Sequence, residues 1–295
     1  MKRKFFTLTS KVILAATLAF GGTVTSLAIS NTATAAPVKK DYENHPEKAN
    51  IQWALDNKFM YLNADGTFRP DTTISQSQLI AGLSAMMGLK DKAPVPEIPV
   101  GHWAKDAYEK AKKAGILNGV TIDSNKLLQK GEVAIITLNI YTSMWGKKLD
   151  GYTNVGMLVN TGWMKPFLPG PKYNETVLFT RADTAAILKA IHTDKIGIAT
   201  AEKYALEFHK SLSIKNGVLT MKVPKEYVEG NLMLGVQLLT QDNKLEQAPY
   251  GKTYSIKLSS YKKIGFSAIG DKSRSYASYL YELPKIERID VRKRK

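Results

Sequence analysis

The chain has 295 residues, a formal net charge of +16 at pH 7 and no cysteine. This length is sufficient for two domains of ordinary size, each with its own apolar core. The absence of cysteine excludes disulfide bonds and thiolate metal sites, so the fold depends on packing for its stability. The positive charge indicates an anionic partner.

Residues 1–35 are typical of a secretory signal peptide. They contain four basic and no acidic residues, an apolar run at 12–20, and small residues around Ala33 and Ala35. This order predicts export and cleavage after Ala35, which leaves a mature chain of charge +12 (16 minus 4). A retained membrane anchor is the alternative, but Gly21 and the polar residues after it interrupt the run. No later stretch approaches the ~18–20 apolar residues that span a bilayer, so we expect a soluble, secreted protein without a transmembrane anchor.

A sequence pattern recurs three times after this leader. Residues 44–49 (NHPEKA) align with residues 101–106 (GHWAKD) at an offset of 57, and an apolar helix is predicted to follow each. A third copy, at a further offset of 47, brings residues 150–164 into the same frame. Short repeats cannot bury an apolar face alone, which is why they occur in tandem. The predicted repeats are residues 44–100, 101–147 and 148–196.

Each repeat is predicted to continue through a loop to a second helix. In the first repeat, residues 63–71 (NADGTFRPD) contain turn residues and a helix-blocking proline, and Ser75 precedes Gln78 at capping-box spacing. The corresponding places hold QKGE, ending at Glu132, in the second repeat and TRAD, ending at Asp183, in the third. A helix is therefore predicted to start at each place, with Glu132 and Asp183 capping their own helices.

These motifs resemble those of S-layer homology domains. The resemblance rests on Trp103–Ala104 at the start of one helix, AGIL at residues 114–117 at its end, the DGTFRPD loop and the TRAD helix start. It covers about residues 44–195, more than half of the mature chain. It implies a mainly α-helical N-terminal region in which three repeats are arranged about a pseudo-three-fold axis. It also implies that grooves between the repeats bind an anionic secondary cell-wall polysaccharide, often pyruvylated, beneath the S-layer.

The resemblance also assigns the groove residues. In the family, the arginine of the helix-start motif faces the ligand, and Arg181 preserves it here. A guanidinium can bind the carboxylate of a pyruvyl ketal through two parallel hydrogen bonds, and helix N-terminal amides favour the same anion. Lys130 in the second repeat retains the positive charge but lacks the paired donors of a guanidinium. Gln76 in the first repeat retains only a neutral hydrogen-bond donor. We expect the Arg181 groove to bind most strongly, the Lys130 groove less strongly, and the Gln76 groove weakly or only to support the fold.

Further polysaccharide-binding candidates come from the same resemblance. Trp103, with His102 beside it, is at the position where the family places an aromatic residue against the sugar or the seam between repeats. Burial in the core is an equal alternative, because tryptophan is also the largest side chain that a small core can bury. Gly119 is assigned a close backbone approach to the ligand only by analogy. Glu132 and Asp183 complete the set at the helix starts.

The pattern changes after residue 196. Residues 197–210 are predicted to form a linker helix and residues 211–295 a small all-β domain, a sandwich or barrel, because apolar and polar residues now alternate. Asn216–Gly217 predicts a two-residue hairpin turn. Residues 292–295 (RKRK) are predicted to be a solvated tail. The strand tyrosines are predicted to be either a contact face or ordinary sheet-rim residues; they are Tyr250, Tyr254, Tyr261, Tyr276, Tyr279 and Tyr281.

The residues argue against catalysis. No histidine spacing is typical of a metal site, and neither a Gly-x-Ser-x-Gly motif nor a phosphate-binding glycine loop occurs. We therefore expect no catalytic residue, no metal and no cofactor. The predicted protein is anchored to the wall and displays its β-rich domain, as a spacer or as an adhesin that binds S-layer protein or a host ligand. A wall-anchored hydrolase is the alternative, and nucleic acid is not expected as the partner of an exported chain.

Overall fold

A computed structural model gives the architecture of the chain. The predicted signal peptide, the first residues of the third predicted repeat and the end of the basic tail lie outside the described residues. Those described form part of one compact unit, Lys39–Lys295. The described ranges are 40–146, 153–166, 173–270 and 274–293.

Three helix pairs, each a short helix followed by a longer one, make up the N-terminal part. Ser75 Oγ accepts a hydrogen bond from the Gln78 amide, and the Gln78 side chain accepts one from the Ser75 amide. Thr180 and Asp183 form the same reciprocal pair, and Glu132 accepts from the amide three residues before it. The predicted helix starts and caps are therefore confirmed. The helices are α1 (Lys48–Asp56), α2 (Gln76–Met87), α3 (Lys105–Lys113), α4 (Lys130–Trp145), α5 (Asn154–Thr161) and α6 (Arg181–Ser211).

A closed ring of backbone hydrogen bonds joins the segments that precede the longer helices. The amide of Ile74 donates to the carbonyl of Phe179, the amide of Phe179 to that of Leu128, and the amide of Leu128 to that of Ile74, at 2.9, 2.8 and 3.0 Å. All three side chains are buried. Buried backbone amides need hydrogen-bond acceptors, and here the carbonyl of each segment accepts from the amide of another. The starts of α2, α4 and α6 are thereby held around one point.

Two antiparallel sheets form the C-terminal part, which confirms the prediction that it is β-rich. The first has the order β1-β2-β6, and the second has the order β3-β4-β7-β8-β9 with β5 paired to β4. Asn216 and Gly217, with φ of 52° and 74°, form the predicted turn between β1 and β2. β3 and β5 were not predicted from the sequence, because strands of two and three residues are too short to show an alternating pattern. The strands are β1 (Ser213–Lys215), β2 (Val218–Lys222), β3 (Tyr227–Val228), β4 (Leu232–Thr240), β5 (Leu245–Gln247), β6 (Thr253–Lys257), β7 (Tyr261–Ile269), β8 (Ser275–Glu282) and β9 (Glu287–Asp290).

Helix α6 belongs to both parts of the molecule. It runs without interruption for 31 residues, so the boundary predicted between residues 196 and 197 falls inside one helix. Its C-terminal half packs on the sheets, where Phe208 stacks on Phe266 of β7 with ring centroids 5.4 Å apart. A shared helix leaves no separate linker element at residues 197–210.

Asp194 connects the third helix pair to the second sheet. It is 2% exposed, and its carboxylate accepts hydrogen bonds from Trp163 Nε1 at 2.5 Å and from the Tyr276 hydroxyl at 2.7 Å. It also forms an ion pair with Arg274, which donates to the carbonyl of Thr161. A buried carboxylate is costly without partners, so these contacts make the junction specific.

Two expectations for the C-terminal part are corrected. Three of the strand tyrosines are buried beside α6 and offer no contact face. Arg292 is not part of a solvated tail, because it forms ion pairs with Glu202 of α6 at 2.5 Å and with Asp290 at 2.9 Å. The carboxylates of Glu202 and Asp290 thus fix the position of Arg292. The run of basic residues in the sequence gives no sign of these partners. The buried tyrosines are Tyr276, Tyr279 and Tyr281.

Candidate ligand-binding grooves

A groove of about 320 Å³ lies beside α2, and we call it the Trp103 groove. Ala81 and Ala85 lie one turn apart on the same face of α2, and their short side chains leave room for it. The segment that follows α1 forms another wall. The lining consists of residues 58–63, Gln78, Ala81, Ala85, Trp103 and Arg181.

Arg181 forms the buried side of the Trp103 groove. It is 5% exposed, its Nε donates to the carbonyl of Phe68, and its Nη2 donates to the carbonyl of Tyr61, both at 2.7 Å. The guanidinium carbon lies 4.6 Å from the centre of the Phe68 ring. Two of the five N–H groups thus hold the loop after α1, whereas Nη1 donates to no described residue. Arg181 therefore builds the groove wall and keeps donors for an anion.

The charge of the Trp103 groove is positive. Its lining includes Lys58 and Arg181 and no carboxylate. Burial lowers the pKa of the Arg181 guanidinium, and the nearby Asp41 opposes this effect. Arginine nevertheless stays protonated in proteins, so the groove has a fixed positive charge at its buried side. An anionic group is the ligand chemistry that this field favours.

Two exposed aromatic side chains flank the groove. Trp103 is 65% exposed and Tyr61 is 68% exposed, so Trp103 is not a core residue. His102 stacks beside Trp103, with ring centroids 5.8 Å apart and planes inclined by 27°. A large flat apolar ring in water can pack against the C–H face of a sugar. The groove thus combines aromatic surface with fixed positive charge.

A second groove, of about 240 Å³, lies beside the first part of α6, and we call it the Lys165 groove. Asp183 and Lys189 of α6 line it together with Lys165 and Asn50. Lys165 forms an ion pair with Glu47, and Asn50 donates to the same carboxylate at 2.5 Å. Carboxylates therefore neutralise part of its charge, which distinguishes it from the Trp103 groove.

The three residues at the helix starts make corresponding contacts. Gln76 Nε2 donates to the carbonyl of Thr121, after α3, at 2.9 Å, and Lys130 Nζ donates to the carbonyl of Lys165, after α5, at 3.3 Å. Arg181 reaches the segment after α1 in the same way. All three are at most 5% exposed. Each longer helix thus binds the segment that follows the short helix of the next pair. The last longer helix, α6, binds the segment that follows α1.

The side-chain amide of Gln76 is largely engaged within the protein, with one N–H and both acceptor positions of its oxygen in use. Besides the bond to Thr121, its Oε1 accepts from the Tyr108 hydroxyl at 2.9 Å and from the Asp123 amide at 3.0 Å. These partners are buried or partly buried, and they tie α2 to α3 and the loop after it. Gln76 therefore serves the fold at this place.

The remaining candidates lie outside the lining of the Trp103 groove. His102 Nδ1 accepts from the Ala104 amide at 3.2 Å, a local cap at the start of α3. Gly119 has a φ of 71°, which supports a turn after α3. Glu132 caps α4 and forms an ion pair with Lys126. The structure thus brings together Arg181 and Trp103 but not these three.

Sequence reasoning missed several residues of the Trp103 groove. Tyr61 and Leu62 are both exposed, and they directly precede the turn that begins at Asn63. An exposed aromatic–aliphatic pair at a loop entrance is the available signal, since no helical or strand periodicity accounts for it. Ala81 and Ala85 carry no signal in the sequence, because small residues on a helix usually mean close packing.

Comparison with known proteins identifies one segment. The family model of the S-layer homology domain matches residues 40–80, which contain α1, the loop after it and the start of α2. This segment supplies Tyr61 and Gln78 to the Trp103 groove. No curated protein matches the chain. Among the described helices, none is both long and apolar enough to cross a membrane.

Proposed function

We propose that this protein attaches non-covalently to the cell surface by binding an anionic secondary cell-wall polysaccharide, since residues 40–80 match the S-layer homology domain. The observation that carries the proposal is the Trp103 groove, which combines the buried cation Arg181 with the exposed rings of Trp103 and Tyr61. A domain of this family is a binding module, which agrees with a non-enzymatic role.

We further propose that the three helix pairs are diverged copies of one module about a pseudo-three-fold axis. The ring of hydrogen bonds at Ile74, Leu128 and Phe179 supports this arrangement, because each segment plays the same part. His45 and His102 add a local correspondence: the Nδ1 of each accepts from the amide two residues later, at 3.0 and 3.2 Å. The family match, at residues 40–80, covers the first part of the first proposed copy.

In the proposed complex, a sugar ring packs on Trp103 or Tyr61 while its acidic group faces Arg181 and Lys58. Nη1 of Arg181 retains its donors, so a carboxylate such as a pyruvyl ketal can receive charge-assisted hydrogen bonds from it. The cavity volume falls near the lower end of the ~300–1,000 Å³ typical of ligand sites, which suits a short stretch of a polymer rather than a long one.

The Lys165 groove is proposed as the second, weaker site. Lys130 lies buried beside it, with Nζ directed to the Lys165 carbonyl, and the ion pair between Lys165 and Glu47 competes with an incoming anion. The groove that corresponds to Gln76 is proposed to serve the fold alone. Arg181 thus remains the helix-start residue with the largest share in binding.

The test is sedimentation of the purified protein with cell-wall sacculi. We expect Trp103→Ala and Tyr61→Ala each to weaken binding about tenfold, which corresponds to about 1.4 kcal/mol. Both side chains are exposed, so the fold should be unaffected. Tyr227→Ala is the matched control, because Tyr227 is 63% exposed on β3, outside the groove, and its loss should leave binding unchanged. Equal binding by all four proteins would contradict the proposal.

The chemistry of the anion is tested with the same assay. Sacculi treated with mild acid to remove pyruvyl ketals should retain less protein if the ketal carboxylate faces Arg181. Undiminished retention after this treatment would exclude the ketal and leave phosphate or uronate groups as the anion.

We also propose that residues 1–35 direct export and that residues 211–295 are displayed at the wall. Fractionation of cells, with N-terminal sequencing of the wall-bound protein, tests the first point: the mature chain should begin after Ala35. A hydrolase remains the alternative for the displayed part, and it would require release of wall fragments by the purified protein.

A further inference from the structure

The outward face of the β1-β2-β6 sheet carries lysine and hydroxyl side chains. Thr220 of β2 pairs with Ser213 on one side and with Ser255 on the other, and its Oγ1 lies 2.9 Å from Ser255 Oγ. The alternate residues of β2, Leu219 and Met221, are buried behind the sheet. We call this outward surface the lysine face. Its residues are Ser213, Lys215, Thr220, Lys222, Thr253, Ser255 and Lys257, with Val218 between Lys215 and Lys257.

The charge of the lysine face is uncompensated. The three strands contain no aspartate or glutamate, and none of the three exposed lysines forms an ion pair with a described carboxylate. Lysines beside the second sheet behave differently, since Lys244 pairs with Asp242 and Lys263 pairs with Glu282. The lysine face is therefore a positive surface whose lysines have no ion-pair partner in the part of the chain that the structure describes.

A neighbouring cleft extends this positive surface. Its volume is about 620 Å³, and it lies where the end of α6 meets β2. Lys222 belongs to both the face and the cleft, and Lys210 and Lys225 also line the cleft. Glu207 is the carboxylate of its lining. Three lysines against one carboxylate leave the cleft positive as well.

The spacing of the lysines suits an extended chain rather than a single ion. Neighbouring strands are ~4.8 Å apart, so Lys215 and Lys257, on either side of β2, have backbones roughly 10 Å apart. Both lysines pair with Val218 of β2, and Lys222 lies four residues further along β2, with its backbone roughly 13 Å from that of Val218. A linear polyanion lying across the sheet can contact all three ammonium groups with the lysine side chains extended, whereas a single small anion would have to draw the three side chains together.

The side-chain chemistry favours phosphate over other anions. Lysine acts as a point charge that suits phosphate oxygens, and serine and threonine hydroxyls add neutral donors. The face has no arginine, whose planar fork is the better match for carboxylates. It also has no aromatic side chain on which a nucleobase could stack. A phosphate polymer without bases therefore fits better than a uronate polymer or single-stranded nucleic acid.

We propose that the lysine face binds a linear phosphate-ester polymer that lacks nucleobases, at a site separate from the Trp103 groove. The protein would then contact the wall through two chemically different surfaces. Binding through the face is electrostatic and falls steeply with salt, because it depends on the release of counter-ions.

The test measures binding of the full chain to immobilised linear inorganic polyphosphate over a series of salt concentrations. The triple variant Lys215→Gln, Lys222→Gln, Lys257→Gln should lose at least tenfold in affinity. The slope of log affinity against log salt should fall by about 2–3 for three lost contacts. The matched control is Lys90→Gln, Lys112→Gln, Lys113→Gln, which removes the same charge from exposed lysines of the helical part and should bind as the parent does.

Polygalacturonate and a single-stranded oligonucleotide serve as competitors for the same surface. Polyphosphate should displace both from the parent protein. Equal weakening by the two triple variants would overturn the proposal, and so would tighter binding of either competitor than of polyphosphate. Trp103→Ala should retain polyphosphate binding, so that failure at the groove and failure at the face are distinguishable.

Discussion

Arg181 Nη2 donates a hydrogen bond of 2.7 Å to the carbonyl oxygen of Tyr61, which lies 120 residues earlier in the chain. This bond ties the last helix to the loop of the first pair, and the same loop carries the exposed ring of Tyr61 into the Trp103 groove. Arg181 thus acts on the fold and on the groove at once. A loss of binding in an Arg181 variant is interpretable only together with its stability.

We expect Arg181→Ala to lower the free energy of unfolding by about 2–4 kcal/mol, because it leaves the carbonyls of Tyr61 and Phe68 without their charged donor. Urea denaturation followed by fluorescence measures the change. Lys92→Ala is the control: its ion pair with Asp106 is exposed, and its removal should leave the midpoint unchanged. A similar midpoint for Arg181→Ala and the parent protein would show that the two hydrogen bonds are dispensable.

Asp194→Asn should destabilise the protein by about 3–5 kcal/mol, since it removes the charge that neutralises the part-buried Arg274. The change should also alter the emission of Trp163, whose Nε1 donates to this carboxylate. Asp91→Asn, at an exposed position, provides the control for loss of one negative charge. If the two variants unfold at the same denaturant concentration, Asp194 does not connect the helices to the sheet energetically.

Gly197→Ala should destabilise the protein, although alanine usually stabilises a helix interior by up to about 1 kcal/mol over glycine. A Cβ at residue 197 would lie 2.4 Å from Cε2 of Tyr276, and we expect a net cost of about 1–3 kcal/mol. The clash disappears when Tyr276 is replaced by alanine. In that background, Gly197→Ala should be neutral or stabilising, and an unchanged cost there would place its origin elsewhere.

Stability should fall as the pH rises from about 10 to about 12. Burial raises the pKa of the Tyr108 and Tyr281 hydroxyls to about 12, whereas an unfolded tyrosine ionises near 10. Between these values the unfolded state has released protons that the native state still holds, so deprotonation favours unfolding. Below pH 10 the contribution is fully present. Denaturant midpoints across this range, with tyrosinate absorbance of the native protein, measure the effect.

Two conservative variants separate the contributions to this alkaline loss. Tyr281→Phe should reduce it without cost at neutral pH, because the Tyr281 hydroxyl is buried and has no hydrogen-bond partner among the described residues. Tyr108→Phe should reduce it too, but at a neutral-pH cost of about 1 kcal/mol for the lost bond to Gln76. An alkaline transition identical in both variants and the parent protein would assign the loss to other groups.

Features encoded within a few residues could be predicted from the sequence. The caps at Ser75 and Thr180 involve partners three residues away, and the turn at Asn216–Gly217 requires a backbone conformation that these two residue types adopt readily. The alternation of apolar and polar residues likewise predicted strands within residues 211–295. It did not indicate what covers them, which is why the tyrosines there were open to two interpretations.

Features that depend on distant partners could not be predicted. Asp194 and Tyr276 are 82 residues apart, and nothing near either of them indicates a buried hydrogen bond between the two. The same holds for Arg292, whose basic neighbours favour a solvated tail although Glu202, 90 residues earlier, binds it. In each case the unpaired charge would be costly, and the fold supplies the partner.

Residue types and short-range spacing therefore suffice to predict where the longer helices begin, that Arg181 stands at a helix start, and that the chain has a large positive charge. These properties come from local hydrogen bonds and from charge, which act over a few residues or without regard to detailed geometry. The ring closure through Tyr61, the exposure of Trp103 and the continuity of α6 depend on which distant surfaces pack together. Packing is a property of the whole folded chain, so it became visible only once the three-dimensional arrangement was known.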